Sequence, residues 1–549
     1  MLLLFLVQGS EAELEQPTTE YSLFQKYESP TMRKVLIGLF FIILIVPFYG
    51  QTPNDNLQKY WKYRDRLRTR FMVVSENVMD YGVNIPASDI FYDKDIISWG
   101  DANNNMSHYL SMLSTELWLL KQNHQDYSST LKELYYAMLA LERLDMYSES
   151  NLRWKSAHGS WLENDSIEKS YVRPGDINGF LLRDDVGDSF WRKYGSHFDV
   201  SKCQGNLNRQ DKFQMEEMSQ DVIEHDMEGL SLVNTLVGTE SVAGIPCNLP
   251  DNNIKTRLTH LAIMTCDSDV LQSPKLINFK LWAQDFVKRF IRFMQYDGTY
   301  SGKIGGLIPF KTHWVLVNPV TNKLVMQGNG ADGGVAMISN GLLRAGQAIT
   351  GENLRIYPRL LSDKEYNLAF KHPKTFQLGL EDNKTRSLAC HVSGERTFAR
   401  LRKLRDHYNP HKTGHFPIYE HFPLMYLVMH DLNYPGLGLK DKIHNFDKGL
   451  YGGLLDSAPI SGPASNCGIY EWTSTSRCLW PENLGKKSGR QIEYNGLDYM
   501  MLHNLYDIAF GIKGFKTLKI DSASTAGTRN SILEKRATTI SQQGSIMAN

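Results

Sequence analysis

The sequence predicts a mainly α protein, an α/α toroid-like helical domain with long loops and one small β-hairpin. Three observations lead there. Apolar residues recur at helical spacing in roughly nine segments. Polar connections rich in Gly, Pro, Asn and Trp separate those segments, notably 148–210, 355–390 and 455–494. A single stretch, His313 to Gln327, reads as two apolar runs around a Pro319 to Asn322 turn, which is a hairpin pattern.

In chain order, the apolar stripes fall around 105–121, 131–144, 216–236, 255–266, 278–295, 334–348, 395–407, 420–431 and 495–510. In the second of these, Leu131, Leu134, Tyr135, Met138, Leu141 and Leu144 keep one face, with Ser128 and Ser129 available to cap the first turn. The loops between stripes are longer than a compact bundle needs, and long loops on a rigid scaffold carry function. Helical hairpins ringing a cavity, with loops lining one end, account for both features; an irregular bundle or two helical domains would give the same pattern.

The start of the chain reads as an export signal. Arg33 and Lys34 precede the apolar run Val35 to Phe48, and Tyr49, Gly50 and Gln51 follow it. That run is about 14 residues, short of the roughly 20 needed to cross the hydrocarbon core. Residues 32–50 are therefore expected to be a signal peptide, with a retained anchor through 35–48 as the alternative. Residues 1–31 read as an upstream extension, with translation expected to start at Met32. Residues 51–520 form one helical domain, and 521–549 lose periodicity and form a polar tail expected to be disordered. Export predicts a periplasmic or secreted protein.

Lys+Arg and Asp+Glu both number 60, so formal charge is zero and no block of one sign appears. That argues against a polyanion surface as the main role, and no nucleic-acid partner is expected. Six cysteines all fall after residue 200. In an oxidising compartment Cys467 and Cys478 make the expected bridge, and the absence of CxxC disfavours a thiolate zinc or redox site.

A glycine and an aspartate recur at helix starts: Trp99-Gly100-Asp101, Gly330-Ala331-Asp332-Gly333 and Gly496-Leu497-Asp498. An Asp there caps free N–H groups and suits the positive end of the helix dipole. Several such starts facing one cavity would also assemble carboxylates for acid, base or ligand roles. On the 216–236 helix, Glu217, Asp221 and Glu224 share one face, beside His225 and Asp226; three acids so spaced make a solvated stripe or, in a cavity, a general acid. The candidate catalytic set is Asp101, Asp221, Asp332 and Asp498.

Other constellations are weaker. Gly328 to Gly333 matches G-x-G-x-x-G but follows a hairpin and opens no parallel βαβ unit, so it reads as a loop at a cavity rim. His407, His411, His415 and His421 have ligand spacing, but Asn409-Pro410, Gly414 and Pro417 break the helix; they edge a site together with Glu420. Asp176-Ile177-Asn178-Gly179 begins like a calcium loop, yet its glycine comes two positions early and Gly187 stands where a Glu is needed. Neither a metal nor a cofactor is therefore expected. Trp99, Trp154, Trp161, Trp191, Trp314, Trp472 and Trp480 look exposed in loops beside acids and amides; flat rings next to hydrogen-bonding groups suit a sugar, although they also plug gaps between loops and helices. The candidate binding set is Trp99, Arg183, Asp184, Asp185, His415, Glu420, Glu471, Trp472, Arg477 and Asn495. HExxH, P-loop and GxSxG signatures are missing.

The segments Glu217 to Asp221 (EMSQD), Gly179 to Val186 (GFLLRDDV) and Tyr494 to Tyr506 (YNGLDYMMLHNLY), with the exported start, resemble large secreted or envelope proteins of Gram-negative bacteria. In helix count the chain also resembles α/α-toroid polysaccharide hydrolases and lyases. The first resemblance spans most of 55–515 and implies no activity. The second implies a carbohydrate-active or carbohydrate-binding protein with a glycan or small-molecule ligand, and transfers no catalytic motif. The rival expectation is a non-catalytic envelope protein that binds a partner through its loops; membrane contact would come only through an uncleaved signal segment.

Overall fold

Helix α1, Pro53–Arg66, opens on a proline, carries Asp55 in its first turn and Arg64 and Arg66 in its last, all favourable to the helix dipole. Its buried stripe is Leu57, Tyr60, Trp61 and Tyr63, and a π-helical turn at Leu67–Phe71 ends it. The sequence reading did not include this helix, because aromatic and charged residues, rather than aliphatic ones, mark its buried face.

The computed structural model describes residues 53–75, 83–87, 89–91, 96–99, 102–158, 179–181, 220–245, 249, 252–266, 275–295, 300–304, 308–312, 317–318, 323–324, 346, 349–352, 425, 428 and 492–520. The chain divides into two units, Met1–Thr52 and Pro53–Asn549, and all of these residues belong to the second. The expected signal segment, residues 355–420 with the histidine cluster, the 455–490 loop and the C-terminal tail lie outside the described residues. Cys266 is disulfide-bonded; Cys467 and Cys478 lie outside them.

After α1 come strands β1, Asp89–Phe91, and β2, Ile96–Ser98, then helices α2, Ala102–Gln122, and α3, Ser128–His158. Next are α4, Gln220–Leu236, strand β3, Thr239–Val242, helix α5, Asn252–His260, and strands β4, Met264–Thr265, and β5, Lys275–Asn278. Helix α6, Phe279–Gln295, precedes two hairpins, β6 (Tyr300–Ile304) with β7 (Ile308–Thr312) and β8 (Val317–Asn318) with β9 (Lys323–Leu324). Strand β10, Ile492–Tyr494, and helix α7, Leu497–Phe510, close the described part. The described protein is mostly helical, as expected. The expected hairpin is present as β8–β9, with Val317 opposite Leu324, but it is not alone: β10-β1-β2 and β3-β5-β4 form antiparallel three-stranded sheets, and β6–β7 is a second hairpin.

One expected helix is shorter than its apolar stripe. The 255–266 segment stops at His260, and Met264–Thr265 turns into a strand against Leu276 and Ile277. The N–H of Ile263 reaches the Leu258 carbonyl and that of Ala262 the Thr259 carbonyl, with Ala262 at φ 55°. This is a Schellman ending on a residue other than glycine. Without a glycine, the stop was invisible in sequence.

Side-chain contacts give the helix directions. Ser107 on α2 meets His225 and Gly229 on α4, while Lys121 at the far end of α2 pairs with Glu240 just beyond α4. The two helices run in the same direction. Asn105 meets Asn495, Thr115 meets Asn504 and Asn123 meets Gly514, so α7 runs that way too. The other three long helices oppose them. Tyr109 and Glu116 of α2 meet Glu133 and Thr130 of α3; Asn234 of α4 meets Gln284 of α6, and Gly238 meets Phe279; Tyr60 and Tyr63 of α1 meet Asn504 and Tyr499 of α7. Two layers result, α7-α2-α4 and α1-α3-α6, of opposite direction. Helix α2 is buried on every side, Met106, Tyr109, Leu110, Leu113 and Leu117 sharing it with Asn103, Asn105, Ser107, Ser111, Ser114 and Thr115.

Candidate functional site

Two of the four expected catalytic acids, Asp221 and Asp498, are in the first turns of helices that start toward one end of the α7-α2-α4 layer. On β1, Asp89 pairs with Ser98 of β2 on one side and Tyr494 of β10 on the other. Both flanking strands therefore leave the same end of the sheet, one into α2 and one into α7. Asp101 immediately precedes α2, and Asp498 is the second residue of α7. Asp221 is likewise the second residue of α4. From the level of His225 and Gly229 against Ser107, the start of α4 lies level with that of α2; α7 starts roughly 7 Å further along, about five residues at 1.5 Å each. Side-chain positions of Asp221 and Asp498 lie outside the described residues, as does Asp101, and so do Asp332, Arg183, Asp184, Asp185, His415, Glu420, Glu471, Trp472 and Arg477.

Trp99 and Asn495, expected to touch a ligand, are both fully buried. Trp99 donates its indole N–H to the Ile85 carbonyl at 3.1 Å, so its ring is packed inside and is not the exposed platform anticipated. Asn495 donates to the Ala87 carbonyl at 3.0 Å and to Asn105 Oδ1 at 2.6 Å, while its own oxygen accepts the Leu497 N–H at 3.0 Å. One amide thus ties the segment before β1, α2 and the first turn of α7 together. Gly496 between them sits at φ 82°, and a Cβ there would stand 3.3 Å from Arg66 Nη2. The Arg183-Asp184-Asp185 loop has a described anchor just before it. Gly179, at φ 99°, donates its N–H to Asp145 Oδ1 at 2.7 Å and lies so close to the Arg289 carbonyl that a Cβ would come within 2.5 Å.

Many carboxylates that sequence reasoning did not single out are committed to structure. Arg64 spans Glu116 (2.9 Å) and Glu133 (2.7 Å), with Tyr60 and Tyr109 donating to the same two acids and Thr130 to Glu116 at 2.6 Å. Burial by itself would raise the Glu133 pKa, but Arg64 and Arg68 hold it below the usual range. Further along α3, Glu142 takes Arg257 at 2.5 Å, Arg289 at 2.8 Å and the Trp282 indole at 2.9 Å, and Asp145 takes both arginines. Glu142 is held down the same way: the two arginines outweigh its burial. All four acids are committed to these buried ion pairs.

A different cluster lies between α2 and α4. His108 on α2 and His225 and Glu228 on α4 are 9%, 3% and 1% exposed, and one ligand atom from each falls within 4.8 Å of the others. Small residues bring the helices this close. A Cβ on Gly229 would meet the Ser107 carbonyl at 2.7 Å, and the Ser107 hydroxyl bonds the His225 carbonyl and accepts the Gly229 N–H at 3.1 Å. The two imidazoles meet edge to face with centroids 5.4 Å apart, and His225 Nδ1 stands 3.6 Å from Glu228. Next to them in sequence, Asp226 is fully buried, and neither carboxylate oxygen has a hydrogen-bond partner among the described residues. Burial pushes its carboxyl well above the usual range. The sequence reading treated His225 and Asp226 as part of an acidic stripe and passed over His108 and Glu228. His225 and Glu228 at i, i+3 were the only local signal; the third member comes from another helix. Among the described residues no helix is long and apolar enough to cross a membrane. No family model, no curated protein and no solved structure matches this chain.

Proposed function

We propose that this chain is an exported, periplasmic or secreted carbohydrate-active or carbohydrate-binding protein with α/α-toroid architecture. The observation that carries the reading is that α2, α4 and α7 run in the same direction, so that their starts, near which Asp221 and Asp498 lie in the chain, fall toward one end of the layer. Parallel helices backed by an opposed outer layer are what a ring of helical hairpins requires, and this supports the toroid. Acids gathered at one end give glycoside or uronide chemistry the proton donor and acceptor it needs, a pair separated by about 5 to 10 Å. Asp332 would add a fourth helix start, and Trp472 with Glu471 and Arg477 a sugar-stacking rim. Resemblance to secreted envelope proteins and the apolar run at 35–48 support export, with the retained run as the route to an anchored form.

The test exchanges Asp101, Asp221, Asp332 and Asp498 for Asn singly and measures melting temperature alongside glycan-array binding and polysaccharide turnover. Loss of turnover or binding by about 100-fold at unchanged melting temperature, in at least one variant, is the expected result. If all four variants lose stability and none loses binding, the aspartates are helix caps. A wild type that binds no glycan at all favours the non-catalytic partner-binding reading.

A further inference from the structure

We propose that His108, His225 and Glu228 form a site for a late first-row divalent metal ion, Zn²⁺ by chemistry, clamped between helices α2 and α4. This goes beyond the carbohydrate reading and departs from the sequence expectation of no metal.

Two imidazoles and one carboxylate form a three-ligand set of the kind that holds zinc with a fourth position for water or substrate. Nitrogen-rich sites of this kind favour ions late in the first-row series over Mg²⁺ or Ca²⁺, which prefer oxygen. A tetrahedral ion with bonds of about 2.0–2.2 Å sets its ligand atoms roughly 3.3–3.6 Å apart. His225 and Glu228 already stand at 3.6 Å, and the full set lies within 4.8 Å, so side-chain rotations closing about 1 Å complete the geometry.

The backbone is built to hold that spacing. Gly229 lies against Ser107, one residue from His108, and the Ser107 hydroxyl locks the two helices at this level. His225, Glu228 and Gly229 fall on one α4 face at i, i+3 and i+4, so the close crossing and the ligands face α2 together. Solvent is excluded: Met106, Tyr109 and Met227 beside the cluster are fully buried. A dication between the helices bridges two elements of one layer. The cluster also sits about 9 Å along α2 from Ala102, in the first half of the helix. The competing account is a metal-free His225–Glu228 ion pair in a polar seam.

To test the site, the full chain is stripped with a chelator and titrated with Zn²⁺ and, separately, Co²⁺. The expected results are one equivalent bound, visible d–d absorption of tetrahedral Co²⁺, and a Zn²⁺-dependent rise in melting temperature. H108Q and E228Q are expected to weaken binding by 100-fold or more and abolish the Co²⁺ bands, whereas H260Q, at an exposed position on α5, leaves both unchanged. Absence of stoichiometric Zn²⁺ and of Co²⁺ bands in the wild type overturns the proposal. So does equal affinity in wild type and H108Q. Should H108Q or E228Q fail to fold, the Co²⁺ spectrum of the wild type decides alone. A melting temperature lowered by E228Q, with no metal response in any form of the protein, assigns the cluster to the ion pair instead.

Discussion

At the scale of single residues, the interior of this protein is held by charges that have nowhere else to go. Glu142 neutralises two buried guanidiniums, Arg257 and Arg289, and accepts the Trp282 indole. Replacing it with Gln leaves two arginines short of a counter-charge, and E142Q is expected to lose about 3–5 kcal/mol in denaturant unfolding at neutral pH. Because its arginines hold Glu142 below the ordinary range, that contribution is present above about pH 4.3, the unfolded value, and fades as pH falls through the folded one. The difference between wild type and E142Q should therefore shrink in acid. Asp507 behaves in the opposite sense. Burial raises its pKa, only partly opposed by His503 at 3.8 Å, so the folded chain binds its proton more readily than the unfolded one. Stability attributable to Asp507 falls as pH rises from about 3.9 upward. D507N should be more stable than wild type at pH 7 and lose that advantage below about pH 4, read from melting curves across pH.

At the scale of elements, the recurring device is the way helices stop. Helices α2, α5 and α7 end in the same pair of backward hydrogen bonds, around His124, Ala262 and Gly511, all at positive φ. Only the last uses glycine, the residue that adopts this conformation at no steric cost. A262G is expected to stabilise the protein by about 1 kcal/mol, because an L-residue in the left-handed region carries a strain of that order; a lower denaturation midpoint for A262G would refute it. The same feature explains where pattern reading held and where it slipped. The stripes at 105–121, 131–144, 278–295 and 495–510 match α2, α3, α6 and α7 because their aliphatic periodicity and flanking signals agree. The end of α5 and the whole of α1 went unread for want of a glycine in one case and aliphatic residues in the other. At the start of α3, Asp126, rather than Ser128 or Ser129, supplies the hydrogen bond, accepting the Ser128 N–H at 3.0 Å.

At the scale of the whole described unit, two opposed layers of helices bring distant segments into register: Asn105 to Asn495, Ser107 to His225, Arg64 to Glu133. Mainly helical class, the β8–β9 hairpin and the positions of most described helices follow from sequence alone, since local spacing and turn residues determine them. The recurrence of Gly and Asp at helix starts was also legible, because it is a local pattern. Which of those starts lie together was decided by the tertiary structure, through sheet register and helix direction. The same holds for the burial of Trp99 and Asn495 and for the pairing of Glu116, Glu133, Glu142 and Asp145. His108 and Glu228 looked unremarkable until a glycine-to-serine crossing joined two helices more than a hundred residues apart in the chain. A linear sequence records what each residue prefers locally. What a buried histidine or carboxylate faces depends on chain segments that only folding brings within a few ångströms.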